Sequence, residues 1–373
     1  MKRKKISFSK LALYAAIPLA AALFLTKKAK AQTGSQPKLE RVYEDNTYQF
    51  TGVAVSAEGR VFVTYPRWSS TYKYAVVEVM KDGSAKPYPD AATNEWKPGE
   101  DGKDKWVCVQ TAFVDDDDYL YIVDPAAPML EKVVDGCAKV VKFNLKTNAI
   151  EKTYRFPNTI DSHSYLNDMR VDTKKQVAYL TNSGTGGIVV LDLKTGESRQ
   201  LLQAHKSVHP DPYVKFIIDG KELKKQGQPP AFQSDGIALS PNRDYLYYKA
   251  ISDKRLWRVP TAALLDTILT GQQLAGKVED LGNKANTDGM IFDAKGNLYL
   301  GDPTTYSMIQ ITPDMKMHTW ITSKEELIWP DTYSVSKDGY LFITTSQIHK
   351  QPDYNEGVNK RTSPYMVFKV KLP

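Results

Sequence analysis

The chain has 373 residues, 42% of them hydrophobic and 25% charged, with a formal net charge of +7. Eight Lys/Arg and no acid fall within residues 1–31, so +7 less eight leaves −1 for the remainder. The apparent basicity is thus local to the N-terminus and removes the argument for a nucleic-acid or membrane-surface binder.

In chain order, "MKRKKISFSK" is a basic n-region, "LALYAAIPLAAALFL" an apolar h-region too short for a membrane span, and "AKA" (29–31) a small-x-small cleavage pattern. Residues 1–31 are read as a secretory signal peptide and 32–373 as one domain, secreted or periplasmic and free of the membrane after cleavage. In an exported chain two cysteines, Cys108 and Cys137, are either a disulfide candidate or two buried thiols.

A strand, "KLERVYE" (38–44), precedes the first of six similar units. The units open with "FTGVAVSAEGRVFVTY" at Phe50, "QTAFVDDDDYLYIVD" at Gln110, "NDMRVDTKKQVAYLTN" at Asn167, "SDGIALSPNRDYLYYK" at Ser234, "TDGMIFDAKGNLYLGD" at Thr287 and "PDTYSVSKDGYLFITT" at Pro330. Each is an apolar run ending in Ser or Asp, a polar turn, then an alternating strand. The closing Ser/Asp stands at 56, 115, 172, 240, 293 and 336, at gaps of 59, 57, 68, 53 and 43 residues. Hairpins such as "KVVKFNLKTNAIEKTYRF" (139–156), "GIVVLDLKTGESRQLL" (187–202) and "YSMIQITPDMKMHTWI" (306–321) fill the gaps. Six units of four antiparallel strands predict an all-β, six-bladed β-propeller. One strand, "YMVFKVKL" (365–372), follows the last unit, so the N-terminal strand is expected to complete the last blade and remove an open edge. One helix is expected, in "VPTAALLDTIL" (259–269).

The first strand of each blade should border the central channel. Five residues before each Ser/Asp stand Thr51, Gln110, Asn167, Asp235, Asp288 and Asp331. Six polar residues at one phase, four of them Asn or Asp, are candidate channel-mouth ligands. Carboxylates gathered there suit a hard cation such as Ca2+, a cationic ligand, or general acid–base work through raised pKa values. The competing reading is turn chemistry: Asp caps local amides and Gly supplies an unusual backbone. Two long loops are rim candidates, 204–233 with a hairpin at Asp219-Gly220, and 94–106 with Trp96 and Trp106 available for stacking. "DDDD" (115–118) lacks EF-hand spacing and reads as a turn; His205 and His209 lack a helix to make a metal face. No CxxC, GxSxG or P-loop occurs, so thiol redox, Ser-nucleophile and nucleotide chemistry have no support.

"YLNDMRVD", "AYLTNSGTGGIVVLDLKTGES", "HPDP", "SDGIALSPNRDYLYYKAISDKRLWRVPTAAL", "WPDTYSVSKDGYLFITTSQIHKQP" and "SPYMVFKVKL" resemble bacterial members of the Yellow / major royal jelly protein family, over about residues 40–372. The resemblance implies a secreted six-bladed propeller. It also implies functions ranging from dopachrome conversion, an isomerase-type activity, through binding of small amines to nutrition. A broader similarity is to gluconolactonase-type propellers, which hydrolyse sugar lactones with a divalent cation held by Glu, Asn and Asp. On that similarity Asp288 matches a cation-holding Asp, Asp235 stands where an Asn is usual, and Asn167 matches a substrate-contacting Asn. Thr51 stands where a Glu is usual. The candidate sets are therefore Asp288 and Asp235 for catalysis, Asn167, Asp235, Asp288 and Asp331 for ligand binding, and Asn167, Asp235 and Asp288 for a divalent cation. Three functions are open: binding of a small polar or cationic ligand, metal-assisted lactone hydrolysis, and a structural or protein-binding propeller. The partner expected is a small molecule; the sequence does not specify an oligomeric state.

Overall fold

The computed structural model describes residues 36–230 and 232–373. The expected export signal over residues 1–31 lies outside the described residues.

Six four-stranded antiparallel sheets follow one another along the chain. Their innermost strands are Gly52–Val55, Thr111–Val114, Leu166–Asp172, Ser234–Leu239, Met290–Phe292 and Pro330–Val335. Each pairs with the alternating Phe/Tyr strand that follows its polar turn. Blade 3 shows the register: Val171 opposite Ala178 and Asp172 opposite Val177. The six-bladed propeller is thus observed with the order the repeats require. Glu40–Asp45 pairs with Tyr365–Lys371 as the outermost strand of blade 6, Glu44 opposite Met366 and Asp45 opposite Tyr365. The ring is closed by its own N-terminal strand, which covers the edge that Tyr365–Lys371 would otherwise leave open.

The core lies between blades. Phe62, Tyr88, Trp106 and Phe143 pack blade 1 on blade 2, and Ile237, Tyr248, Trp257 and Leu264 pack blade 3 on blade 4. Trp106 is therefore a core residue, 1% exposed with its indole N–H on Tyr88 O, and does not stack at the rim as expected. The expected helix over 259–269 divides in two. Val259 and Pro260 remain in a blade-4 strand, a helix runs Thr261–Leu265, and a second, Gly271–Ala275, begins at a Thr270/Gln273 capping box. The acidic run at 115–118 is a turn, with Asp115 Oδ1 accepting from Asp117 N and Tyr119 N.

The Asp-Gly pairs have a different cause from the one expected. Gly236 and Gly289 have ordinary backbone angles, since neither is among the positive-φ residues. A Cβ on Gly236 would lie 2.5 Å from Asp288 O, and one on Gly289 would lie 2.4 Å from Asp331 O. Glycine is needed there because adjacent innermost strands nearly touch. That contact places each Asp beside the next.

The disulfide candidate is not formed: Cys108 and Cys137 are both buried free thiols. Cys137 Sγ lies against Gly102, whereas the Cys108 thiol is turned toward Tyr165 and Arg67. Burial pushes Cys108 up to about 12, so it is an inert core thiol.

Candidate functional site

All six phase-matched residues are buried, from 0% exposure at Thr51 to 6% at Asn167. Four of them, Gln110, Asn167, Asp235 and Asp288, line a cavity of about 1010 Å³, the last three as part of its floor. Thr51 does not reach it, because its hydroxyl donates to Gln110 O at 2.8 Å. Asp331 also stays below the cavity, its Oδ1 accepting from Thr332 Oγ1 at 3.2 Å.

The innermost strands of blades 3, 4 and 6 break register after Leu166, Ser234 and Pro330. Such a bulge turns two successive residues out of the ladder. In blade 3 it brings Asp168, which sequence phase did not select, into the same interior as Asn167. Asp168 Oδ2 is 3.3 Å from where a Cβ on Gly289 would stand, so it reaches past blade 4 toward blade 5. The site therefore holds four buried carboxyls, Asp168, Asp235, Asp288 and Asp331.

Asp235 Oδ2 accepts from Asn167 Nδ2 at 2.8 Å and Ser183 Oγ at 3.0 Å. Asp288 Oδ2 accepts from Trp329 Nε1 at 2.6 Å. One oxygen of each of Asp168, Asp235 and Asp331 has no hydrogen-bond partner in the protein, and neither has Tyr333 OH. Burial, with Asp288 beside it, pushes Asp235 well above the usual carboxylate range; burial does the same to Asp331 and raises Asp168. Asp288 is pushed up to about 6 by burial, held back by its bonds to Trp329 and Asp235. Each of the four carboxyls is buried near the others, so ionising one disfavours ionising the next.

Aromatic walls stand on this floor. Trp68 Nε1 donates to Tyr165 OH, which donates to Gln110 Oε1, both at 2.8 Å. Trp96 closes the rim side, and Phe232 and Tyr354 face it from the loops of blades 4 and 6. The loop over 204–233 carries the expected hairpin, Ile217–Ile218 and Lys221–Glu222, with Asp219 and Gly220 at φ of 50° and 73°. Phe216 of that loop packs edge-on to Trp329 at 5.7 Å between ring centres, so the loop rests on the residue that holds Asp288. His205 bonds Ser207, and His209 bonds Gln233 and Gln203 O, as loop fasteners. Ser183, Trp329, Phe232 and Tyr354 carried no signal in the sequence, because no repeat phase or motif marks them.

A calcium-type cation needs several oxygens aimed at one point. Among the described residues no group of three or more His, Cys, Asp or Glu side chains is arranged to hold a metal. Asp235 Oδ2 and Asp288 Oδ2 are occupied by N–H and O–H donors, and Thr51 faces a carbonyl. Asn167, Asp235 and Asp288 are thus not arranged as a ready cation site, although Asp235 keeps one carboxylate oxygen without a partner.

Among solved structures, the chain is similar to a gluconolactonase from Xanthomonas campestris, with 13% identity, 90% of each chain covered and a TM-score of 0.54. It is similar to regucalcin, a calcium-binding protein from Agrobacterium tumefaciens, with 14% identity, 87% and 90% covered and a TM-score of 0.53. A luciferin-regenerating enzyme aligns with 11% identity, 90% and 95% covered and a TM-score of 0.52. At such identities these likenesses show the propeller fold alone. No curated protein sequence matches the chain. The family model described as "Major royal jelly protein" matches residues 107–372, which span blades 2 to 6 without the N-terminal closing strand; the chain belongs to the major royal jelly protein family.

Proposed function

We propose that this protein binds a small organic cation, an amine with a flat apolar body, in the cavity above the channel. The observation that carries this is the pairing of an acidic floor with aromatic walls. Asp235 and Asp288 would take the ammonium, Asn167 and Ser183 hold Asp235 in place, and Trp68, Tyr165, Phe232 and Tyr354 would pack on the body. An ammonium brings three donors to a floor where Asp235 keeps one carboxylate oxygen without a partner. Asp331, one layer down, acts on the floor through its charge and proton. On this reading the protein is exported, loses residues 1–31 and works outside the cytoplasm on a small molecule rather than on nucleic acid.

Titration calorimetry with tyramine and tryptamine tests it. Saturable one-to-one binding, weakened at least tenfold by Asp235→Asn, is expected. Absence of binding by these and by a wider panel of aromatic amines overturns it.

A second reading is supported by Asp288, whose carboxyl is raised to about 6, the range a general base near neutrality requires. With Asp235 as its proton partner it would draw a proton from water attacking a lactone carbonyl. Lactone turnover that disappears in Asp288→Asn supports this reading; binding of amines without turnover removes it.

A further inference from the structure

The opposite end of the channel holds a second cavity, of about 360 Å³, formed by the far ends of the innermost strands of blades 2 to 6. One charged residue stands out in it. Two positions before each closing Ser/Asp the blades carry Ala54, Phe113, Arg170, Ala238, Ile291 and Ser334, so Arg170 is the only ion at that phase.

Arg170 is 6% exposed. Its guanidinium donates to Met169 O at 2.5 Å and to Met290 O at 2.6 Å. Met290 belongs to blade 5, so the side chain skips blade 4 and ties blade 3 to blade 5 across the channel. The group also lies over the Phe113 ring, 5.4 Å from its centre. Backbone dipoles and a ring face thus hold it, but no ion pair reaches it among the described residues, and Nε has no partner. Asp168 acts on it through its field but forms no ion pair with it.

A guanidinium keeps its proton under all ordinary conditions, and burying it without a counter-ion is costly. The other charges around the cavity are already committed. Arg243 pairs with Asp116, and Asp293 accepts from Lys295 N, Asn297 N and Asn297 Nδ2. Asp293 keeps its negative charge, and among these lining residues Arg170 is the cation without an ion-pair partner. Its surroundings, Phe113, Ile291 and Phe292, are apolar, which suits a carboxylate on a small apolar body better than a hydrated inorganic ion.

We infer that this opposite end of the channel is a second ligand site, in which Arg170 binds the carboxylate of a small apolar organic acid. It is lined by residues other than those of the upper cavity.

Titration calorimetry of the full mature chain with benzoate tests this, with sodium sulfate as the inorganic control. Saturable one-to-one benzoate binding, reduced at least tenfold in Arg170→Met, is expected. Because Arg170→Met also removes two hydrogen bonds and could prevent folding, Ser334→Asp provides a second test. It places a carboxylate at the same phase of blade 6 and should abolish benzoate binding while leaving the protein folded. The inference is overturned if benzoate does not bind. It is equally overturned if sulfate alone binds, or if either folded variant binds benzoate like the wild type.

Discussion

Two parts of this molecule bury charge, and they do so in opposite ways. At the foot of the rim loop over 94–106, Lys139 and Asp124 are 2% and 0% exposed and lie 3.0 Å apart. Lys139 Nζ also donates to Gly102 O, Lys105 O and Cys137 O, while Asp124 accepts from Val107 N, Cys108 N and Ala126 N. Every polar atom of that pair is matched inside the protein. In the channel, Asp168, Asp235 and Asp331 each leave an oxygen unmatched. The first arrangement completes itself and fastens the rim. The second is incomplete, and something from outside, a proton, water or a ligand, must finish it.

The sharpest test of the contrast is Lys139→Met. It strands Asp124 without its cation and should cost about 3–5 kcal/mol in urea unfolding. A loss below about 1 kcal/mol would put the rim pair in the same class as exposed ion pairs and break the comparison. Asp235→Asn should act in the reverse sense on stability: at pH 7 it relieves a crowded acid cluster and should raise stability by about 1–2 kcal/mol. Its cost falls on amine affinity, which drops at least tenfold. If the variant is less stable than the wild type at pH 7, the channel acids are structural after all.

The pH profile separates the two regions further. A carboxyl whose folded pKa is raised contributes stability that is complete below its unfolded value, about 4, and is lost as pH rises through the folded value. For Asp288 that value is about 6. The unliganded protein should therefore melt at a higher temperature near pH 5 than near pH 7.5, and Asp235→Asn with Asp288→Asn should flatten the difference. Surface acids run the other way. Asp219, held below the usual range by Lys324 and Tyr306, contributes above its unfolded pKa and loses that contribution as pH falls. A wild-type profile that only rises between pH 5 and 7.5 would contradict a protonated channel.

Smaller effects come from the walls. Trp329→Phe removes the N–H on Asp288 and should lower stability by about 1–3 kcal/mol, moving the titration near pH 6 upward. Tyr354→Ala should weaken amine binding only about three- to tenfold, because one wall among several is lost. Calorimetry at fixed pH reads both.

The repeat carried the architecture on its own. A period-two pattern repeated six times, with an unpaired strand at each end, has few ways to bury its apolar faces other than a ring closed by the N-terminal strand. It also carried the phase at which polar residues approach the channel, and Asn167, Asp235 and Asp288 stand on the cavity floor as that phase required. The sequence could not show which member of the phase would turn aside. Thr51 and Asp331 share the position yet point elsewhere, because a hydroxyl near a carbonyl bonds to it and a carboxyl under a neighbour's floor is covered. Nor could it show Asp168, since a bulge is a matter of register between two strands rather than of either strand's composition. Trp329, Phe232 and Tyr354 come from loops with no period at all. Arg170 crosses the channel only because blades distant in sequence face one another around a closed ring. Local pattern decides which strands form and how they repeat; closure decides which side chains meet, because those contacts join residues that no spacing relates.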